Sequence, residues 1–223
     1  HLGNGAPADG RAYANTSATD YGVNHDGRGN LSGHAYAANI GWVTFEQTHG
    51  QPRVDLRSGN LDGSVWSANT GWLSLSNVHA FVRTETLDTG PDTDGDAIPD
   101  AWEYGHTNTL TALTNGMHDA DGDGATDAEE YGADTDPFDD QDTLRIISLT
   151  AESDTNHVAW TIRPTRRYQL MTTNSLTGPA GNWADAGGGP LGPLSSELTT
   201  QSVHSASTTT EFYRVHALIP LSE

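Results

Sequence analysis

The sequence contains no lysine and no cysteine, and it has no long hydrophobic run. Without cysteine there is no thiol nucleophile, and no disulfide can indicate an oxidising compartment. No apolar stretch approaches the roughly 20 residues that a membrane-spanning helix needs, so we expect no membrane span. The formal net charge is −20, from 30 acidic residues and 10 arginines. This charge argues against binding to nucleic acids or to anionic membranes.

The negative charge is concentrated in one part of the chain, residues 88–142, which we call the acidic segment. It holds 17 Asp and Glu residues and no arginine. Within it, "DTDGDAIPDAWE" (92–103) is followed 27 residues later by "DADGDGATDAEE" (119–130), and five acidic positions coincide. Carboxylates this closely spaced repel one another unless a cation neutralises them.

Both stretches have the spacing of calcium-binding loops, in which alternate side chains supply most of about six to eight oxygen ligands. Gly124 permits the sharp turn of the second loop, whereas Ala97 stands at that position in the first and predicts a strained turn and a weaker site. We predict two or more bound Ca²⁺ ions. The predicted ligands are Asp92, Asp94, Asp96, the Ile98 carbonyl, Asp100 and Glu103, and then Asp119, Asp121, Asp123, the Ala125 carbonyl, Asp127 and Glu130.

Short helices are expected after the loops, at "DAWEYG" and "DAEEYG". The stretches before the loops contain glycine, which argues against the entering helix of an EF-hand. With the "GADTDP" that follows Glu130, the acidic segment resembles the thrombospondin type 3 family, whose tandem DxDxDG runs form an extended, calcium-filled connector. That resemblance implies Asp134 and Asp136 as further ligands. Dockerin modules, which also pair two calcium loops, rank lower because their closing Asp is not evident.

Residues 1–87 predict β-structure with a repeat of 30 residues. "NLSGHAYAANIGWVTF" (30–45) matches "NLDGSVWSANTGWLSL" (60–75). Each copy predicts a strand, a tight turn at Ala-Asn-x-Gly, and a second strand that opens with Trp42 or Trp72. We expect Trp42, Trp66 and Trp72 to pack in a core, with stacking on sugars as the alternative.

The same repeat resembles the β-domain of methanotroph surface copper-binding proteins of the MopE type. The resemblance implies copper held by histidine beside an oxidised tryptophan. Here His34 precedes Tyr36, whereas the second copy has Ser64 and Trp66, so these positions do not bring histidine and tryptophan together in one copy. The amine and imidazole of His1 would be a further copper chelate.

The beginning of the chain also bears on assembly. Aligning "HLGN" (1–4) with "SLSN" (74–77) places the first residue inside a strand, and a first residue other than Met suggests that a leader was removed. This predicts an unpaired edge at which a neighbouring copy adds a strand, with a shortened chain as the alternative. The carboxy-terminal "HALIPLSE" is a candidate donor.

Residues 143–223 again predict strands, at "LRIISLT", "HVAWTIR", "RRYQLMTT" and "EFYRVHAL", and suit a small sandwich of immunoglobulin or fibronectin type III kind. The predicted fold is therefore mostly β, with two small β-sandwich-like domains (1–87 and 143–223). An extended calcium-binding connector with short helices (88–142) joins them.

The sequence predicts no enzyme, since it has no GxSxG, HExxH or GxxxxGK[ST] motif and its histidines are scattered. We predict a non-catalytic structural protein that is extracellular or on the cell surface. It would be a calcium-stabilised subunit of a fibre, appendage or surface layer that forms homo-oligomers or homopolymers by strand addition. A secreted copper-binding or glycan-binding module is the alternative, and glycans also remain possible partners at the sequons of Asn15 and Asn30.

Overall fold

The computed structural model describes residues 2–113, 115–152, 154–177, 182–193, 199–205 and 210–222, with only the backbone described for 199–205. The chain forms two compact units. Unit 1 runs up to Ala112 and includes Leu221–Glu223, and unit 2 is Leu113–Pro220. Antiparallel strands dominate the described residues, with two short helices, so the mostly β class is confirmed. None of those helices has the length and apolar composition needed to cross a membrane.

Unit 1 is built on a five-stranded antiparallel sheet with the order β1-β2-β3-β6-β7, and β4 and β5 form a separate pair. A single helix, α1, follows the first acidic loop. The elements are β1 (Val23–His25), β2 (Leu31–Ala37), β3 (Gly41–Phe45), β4 (Arg53–Val54), β5 (Leu61–Asp62), β6 (Ser64–Ser67), β7 (Gly71–Ser74) and α1 (Asp100–Thr107).

The two hairpins predicted from the repeat are confirmed. Strand β2 pairs with β3 so that Tyr36 lies opposite Trp42, and β6 pairs with β7 so that Trp66 lies opposite Trp72. Each second strand begins at the glycine of Ala-Asn-x-Gly, which has a φ of 74° in the first hairpin and 80° in the second.

The expectation that the three tryptophans pack in a core is wrong. The core of unit 1 lies on the other face of the sheet, where Val43 and Val65 are buried among Leu31, Ala35, Phe45, Val54, Leu56, Leu61 and Leu75. Because side chains alternate along a strand, Trp42 and Trp66 must then point outward. Trp42, Trp66 and Trp72 are 46%, 41% and 47% exposed.

The repeat is held together by close backbone contacts at glycine. Gly29 accepts a hydrogen bond from the Val54 N–H at 2.8 Å, and Gly59 accepts one from the Thr84 N–H at 2.9 Å. A methyl group on Gly59, whose φ is 75°, would overlap the Thr84 carbonyl oxygen. Residues 82–84 thus take in the second copy the place that residues 52–54 take in the first, a continuation of the repeat that sequence comparison missed.

The described residues of unit 2 form one helix and two three-stranded antiparallel sheets, with the orders β11-β10-β13 and β12-β9-β8. Side chains of both sheets, including Trp160 of β9 and Tyr168 of β10, form one core. Its likeness to immunoglobulin or fibronectin domains stays a prediction. The elements are α2 (Asp127–Ala133), β8 (Ile146–Glu152), β9 (Thr155–Thr161), β10 (Arg167–Thr173), β11 (Ala184–Asp185), β12 (Thr199–Ser205) and β13 (Phe212–Leu218).

A separate connector domain at residues 88–142 is not confirmed. The boundary between the units falls between Ala112 and Leu113, so the first acidic loop with α1 belongs to unit 1, and the second loop with α2 belongs to unit 2. Each loop therefore belongs to one of the two β-rich units.

The glycine contact predicts a position-specific loss of stability. Replacing Gly59 with Ala adds a side chain to a left-handed residue and against a backbone oxygen, so the free energy of unfolding should fall by about 2–5 kcal/mol. The control is Gly105→Ala, a helical position of the same unit with nothing within 4 Å of an added methyl group. It should leave stability unchanged or raise it by up to about 1 kcal/mol. Denaturant unfolding of both variants measures the difference, and equal effects would contradict the contact.

Candidate metal centres

The two acidic loops have the same internal hydrogen bonds. In the first, Asp92 accepts from the backbone N–H of Gly95 at 2.8 Å and of Ala97 at 3.0 Å. In the second, Asp119 accepts from the N–H groups three and five residues further on, at 2.7 and 3.0 Å. The first aspartate of each loop therefore stabilises the same backbone turn, although the two loops lie in different units.

Three carboxylates converge inside each turn. One oxygen from each lies within 4.8 Å of the oxygens from the other two. Since calcium binds oxygen at about 2.3–2.6 Å, oxygens that share an ion lie up to about 5 Å apart, and the clusters fit one ion each. The clusters are Asp92, Asp94 and Asp96, and Asp119, Asp121 and Asp123.

A buried glutamate accompanies each cluster. Glu103 and Glu130 both have 0% exposure, and each is the fourth residue of its helix. Helical side chains point back toward the amino terminus, which here is the loop. Neither carboxylate oxygen of Glu103 has a hydrogen-bond partner, nor does Oε2 of Glu130, whose Oε1 accepts from Thr135 Oγ1 at 3.4 Å.

The surroundings of these glutamates disfavour their charged form. Burial, followed by the charges of Asp94, Asp96 and the other first-loop aspartates, raises the pKa of Glu103 to about 7. Burial, followed by Asp121, Asp123 and Asp127, raises the pKa of Glu130 to about 8. A buried carboxylate without a hydrogen-bond partner costs several kcal/mol unless a cation compensates it. The site therefore fits a cation bound between the aspartates and the glutamate.

Four predicted side-chain ligands of the loops stand outside the converging clusters, the buried Glu103 and Glu130 and two aspartates, Asp100 and Asp127. Asp100 accepts hydrogen bonds from the backbone N–H and the hydroxyl of Thr93, at 2.7 and 2.6 Å. Asp127 accepts from the Ala120 N–H at 3.0 Å, and its Oδ2 lies 3.4 Å from His118 Nδ1. Both aspartates are buried and tie the start of the helix to the start of the loop. Direct coordination by them stays a prediction.

Asp134 and Asp136, implied by the thrombospondin type 3 resemblance, also lie outside the clusters. Asp134 is the C-cap residue directly after α2, accepts from the hydroxyl of Thr165, and lies 3.8 Å from the Arg166 guanidinium. Asp136 accepts from the Phe138 N–H at 3.1 Å. Their observed contacts fix the chain after α2, and their role as ligands stays a prediction.

The carbonyl ligands also stay predictions, although the backbone around them is fixed. The Ile98 N–H donates to Asp96 at 2.9 Å, and the Ala125 N–H donates to Asp123 at 2.7 Å. The residue that precedes the carbonyl ligand differs between the loops, since Ala97 precedes Ile98 and Gly124 precedes Ala125. Ala97 has a φ of 75° and Gly124 a φ of 100°, so the first loop contains the strain that its sequence predicted.

Arginine contacts that sequence analysis missed hold both helices. Arg166, 7% exposed, donates to the carbonyl oxygens of Gly132 at 2.9 Å and Tyr131 at 2.7 Å, and so caps the last turn of α2. In unit 1, the guanidinium of Arg11 lies 3.7 Å from the centre of the Tyr104 ring of α1. These partners are far apart in sequence and carry no motif, so no local signal could have revealed them.

Comparison with protein-family models, curated proteins and solved structures gave no match to this chain. The function is therefore inferred from the geometry of the loops. Among the described residues, no cluster of three metal-ligating side chains includes a histidine. The arrangement offers hard oxygen ligands with a net negative charge, which suits binding of a hard divalent cation.

The raised pKa of Glu130 predicts how pH changes the stability of the metal-free protein. The folded state keeps a proton that the unfolded state loses above a pKa of about 4.5. The free energy of unfolding should therefore fall as pH rises from about 5 to about 8. Glu130→Gln removes this titration. In excess EDTA, the melting temperature of the variant minus that of the native chain should therefore increase as pH rises. A constant difference would contradict the prediction.

The strained turn predicts unequal calcium affinities. Ala97→Gly relieves about 1–2 kcal/mol of backbone strain that opposes closure of the first loop, so its affinity should rise by about five- to thirtyfold. Gly124→Ala introduces the same strain and should lower the affinity of the second loop by a similar factor. Calcium titration calorimetry of both variants measures this, and effects of the same sign would overturn the interpretation.

Proposed function

We propose that the protein is a calcium-stabilised, non-catalytic structural protein of the cell exterior. The observation that carries the proposal is the pair of fully buried glutamates, Glu103 and Glu130, beside three converging aspartates in each loop. A fold that buries such carboxylates without hydrogen-bond partners gains stability when a cation joins them. Calcium is favoured over magnesium because magnesium usually keeps several waters and binds few protein oxygens.

The residues that would hold the ions follow from this geometry. Each ion supplies positive charge that neutralises its loop and allows the buried glutamate to ionise. The proposed side-chain ligands are Asp92, Asp94, Asp96 and Glu103 in unit 1, and Asp119, Asp121, Asp123 and Glu130 in unit 2. The carbonyl groups of Ile98 and Ala125 complete the proposed ligand sets. Asp100 and Asp127 hold the start of each loop against its helix through their hydrogen bonds.

Calcium in this role stabilises the fold and does not take part in a reaction. Each loop leads into a helix that contacts its own unit, since Arg166 caps the last turn of α2 and Arg11 packs over Tyr104 in the middle of α1. Binding to the folded state alone adds about 2.7 kcal/mol when calcium exceeds the dissociation constant 100-fold. We propose that this binding orders the acidic segment as a stiff link between the two β-rich parts of the chain.

An extracellular location fits both the proposed calcium sites and the amino-acid composition. Calcium sites of extracellular modules have dissociation constants of about 10⁻⁴–10⁻³ M, which strained or exposed loops can reach and which cytosolic calcium would not fill. The aspartates of the first cluster are largely exposed, which suits such weak binding. The absence of lysine and the abundance of glycine favour the same location.

Assembly by strand addition is the second part of the proposal. Strand β1 is an edge strand, and residues 2–4 lie along it: the Val23 N–H donates to Leu2 at 2.8 Å, and the Asn4 N–H donates to Tyr21 at 2.9 Å. These few bonds would form equally well with residues 2–4 of a neighbouring copy, and head-to-tail exchange of that kind extends into a polymer. The carboxy-terminal candidate donor is engaged, since Leu221 packs against the core of unit 1 and accepts from Leu87 at 2.9 Å.

The calcium proposal is tested by variants that keep the shape of the site and remove its charge. Glu103→Gln and Glu130→Gln should each abolish one of two calcium-binding events, weakening it by at least about 100-fold, and should cancel most of the calcium-induced rise in melting temperature of that unit. Titration calorimetry and differential scanning calorimetry with and without EDTA measure both effects.

The matched control is Glu129→Gln, next to Glu130 in the sequence. Glu129 accepts from the Thr126 N–H at 2.9 Å in a capping box, a bond that an amide oxygen can also accept. The Glu129→Gln variant should bind calcium as the native chain does. Unchanged melting on addition of EDTA, or equal losses in all three variants, would rule out the proposed centres. Monomers alone in native mass spectrometry, across a wide concentration range with calcium, would rule out the polymer.

A further inference from the structure

The outer face of the five-stranded sheet in unit 1 carries a group of exposed rings that the calcium sites do not involve. We call it the aromatic face and define it by Tyr36, Trp42, Trp66 and Trp72. Each of the four is 40–47% exposed. They occupy facing positions in two hairpins, Tyr36 opposite Trp42 and Trp66 opposite Trp72. The 30-residue repeat thus places one ring pair in each copy.

Contacts between neighbouring rings fix their positions. The centres of Tyr36 and Trp42 are 5.3 Å apart at an interplanar angle of 71°, and those of Trp66 and Trp72 are 5.4 Å apart at 64°. Tyr21 packs edge-on against Trp42 at 4.7 Å. Edge-to-face packing of this kind holds each ring in one orientation before any ligand arrives. Little conformational entropy is then lost on binding.

The remaining side chains of this face are polar and uncharged. Between and beside the rings, the outward positions of the strands carry hydroxyl groups and one imidazole, from Ser32, His34, Thr44, Ser64 and Ser74. These positions hold no aliphatic side chain and no acid or arginine. The next outward position, Glu46, turns its carboxylate to the backbone N–H groups of residues 48–50. The rings and hydroxyl groups thus form an uncharged patch on a chain of net charge −20, bordered by Glu46 and by Asp62, whose Oδ1 accepts from Ser76 Oγ at 2.9 Å.

We propose that the aromatic face binds an uncharged glycan chain. The carbon-bound hydrogens on the face of a sugar ring are weakly positive and stack on the negative faces of aromatic rings, while sugar hydroxyls exchange hydrogen bonds with serine and threonine. Rings with neighbouring hydroxyls and no formal charge match this ligand in shape and in charge. Nucleic acids and acidic polysaccharides are repelled by the charge of the chain.

The spacing of the two ring pairs indicates an oligosaccharide. Thr44 lies opposite Trp66, so the second pair is displaced by two strands across the sheet and by two residues along it from the first pair. With strands about 4.8 Å apart and a rise of about 3.4 Å per residue, the pairs lie about 12 Å apart. A single sugar cannot reach both pairs, whereas a linear chain of several sugars can. Binding should therefore strengthen with chain length.

The occupant could instead be the same face of a second copy. Homodimer interfaces are rich in aliphatic side chains at their centre, and this face has none among its outward strand positions. A glycan does not need an aliphatic centre. Binding at this face does not depend on calcium at the loops, so the two proposals can fail separately.

Affinity electrophoresis with neutral and acidic polysaccharides tests the proposal. Native protein without added calcium, which would gel alginate, should be retarded by at least one of hydroxyethylcellulose, glucomannan, xyloglucan or dextran, and not by alginate. Trp42→Ala and Trp72→Ala should each weaken retardation by at least about tenfold, as loss of a central aromatic contact does. Phe138→Ala, which removes a 50%-exposed ring of unit 2, is the control and should behave as the native chain does.

A titration of the native chain needs no variant. Oligosaccharides released from the retarding polysaccharide should shift the tryptophan emission, with affinity rising from disaccharide to hexasaccharide and no response to the monosaccharide. Failure of every neutral polysaccharide to retard the protein, equal retardation of the tryptophan variants, or stronger retardation by alginate would overturn the proposal. So would concentration-dependent dimerisation that Trp42→Ala abolishes, because it would make the face an interface between copies.

Discussion

Repulsion among buried and clustered carboxylates is the constraint on which both acidic loops depend. Glu103 and Glu130 lie out of contact with water beside carboxylates of the same sign, and the raised pKa of each expresses the cost of charging it there. Hydrogen bonds from the loop backbone satisfy one or both oxygens of several aspartates. They do not satisfy Glu103. A divalent cation resolves this conflict with the fewest changes, because it compensates several charges at one point.

The same loop-and-helix structure occurs in both units, but its contacts with the rest of the unit differ. The turn of each loop repeats with matching hydrogen bonds, yet α1 begins without a side-chain cap and contacts Arg11 through Tyr104, whereas α2 begins with a capping box and Arg166 caps its last carbonyls. Calcium bound at one loop would therefore stabilise one unit without requiring the other. A metal that acts as a brace needs this kind of connection, since ordering a loop affects a domain only through the contacts that the loop makes.

The 30-residue repeat serves two purposes on the two faces of one sheet. Its inward residues, such as Val43 and Val65, form the core, and its turns stack through the close contacts of Gly29 and Gly59. Its outward residues present rings at regular intervals. Large exposed aromatic side chains contribute little to the stability of a single chain, and such patches commonly mark binding surfaces. The aromatic face and the acidic loops are thus separate features of the chain, and the proposals made for them do not depend on each other.

Local spacing determined what could be predicted from the sequence alone. The two calcium-type loops, the helices after them and the hairpins at Ala-Asn-x-Gly depend on residues a few positions apart, so the printed sequence contains their full cause. Three outcomes required the tertiary structure. Trp42 and Trp66 face outward because the core forms against the alternate residues, and sequence alternation alone does not tell which face is covered. Asp100 and Asp127 brace the backbone because folding brings Thr93 and Ala120 to them. The acidic segment divides between two units, with α1 in contact with Arg11 and α2 with Arg166, and no local pattern encodes which distant partner folding will bring.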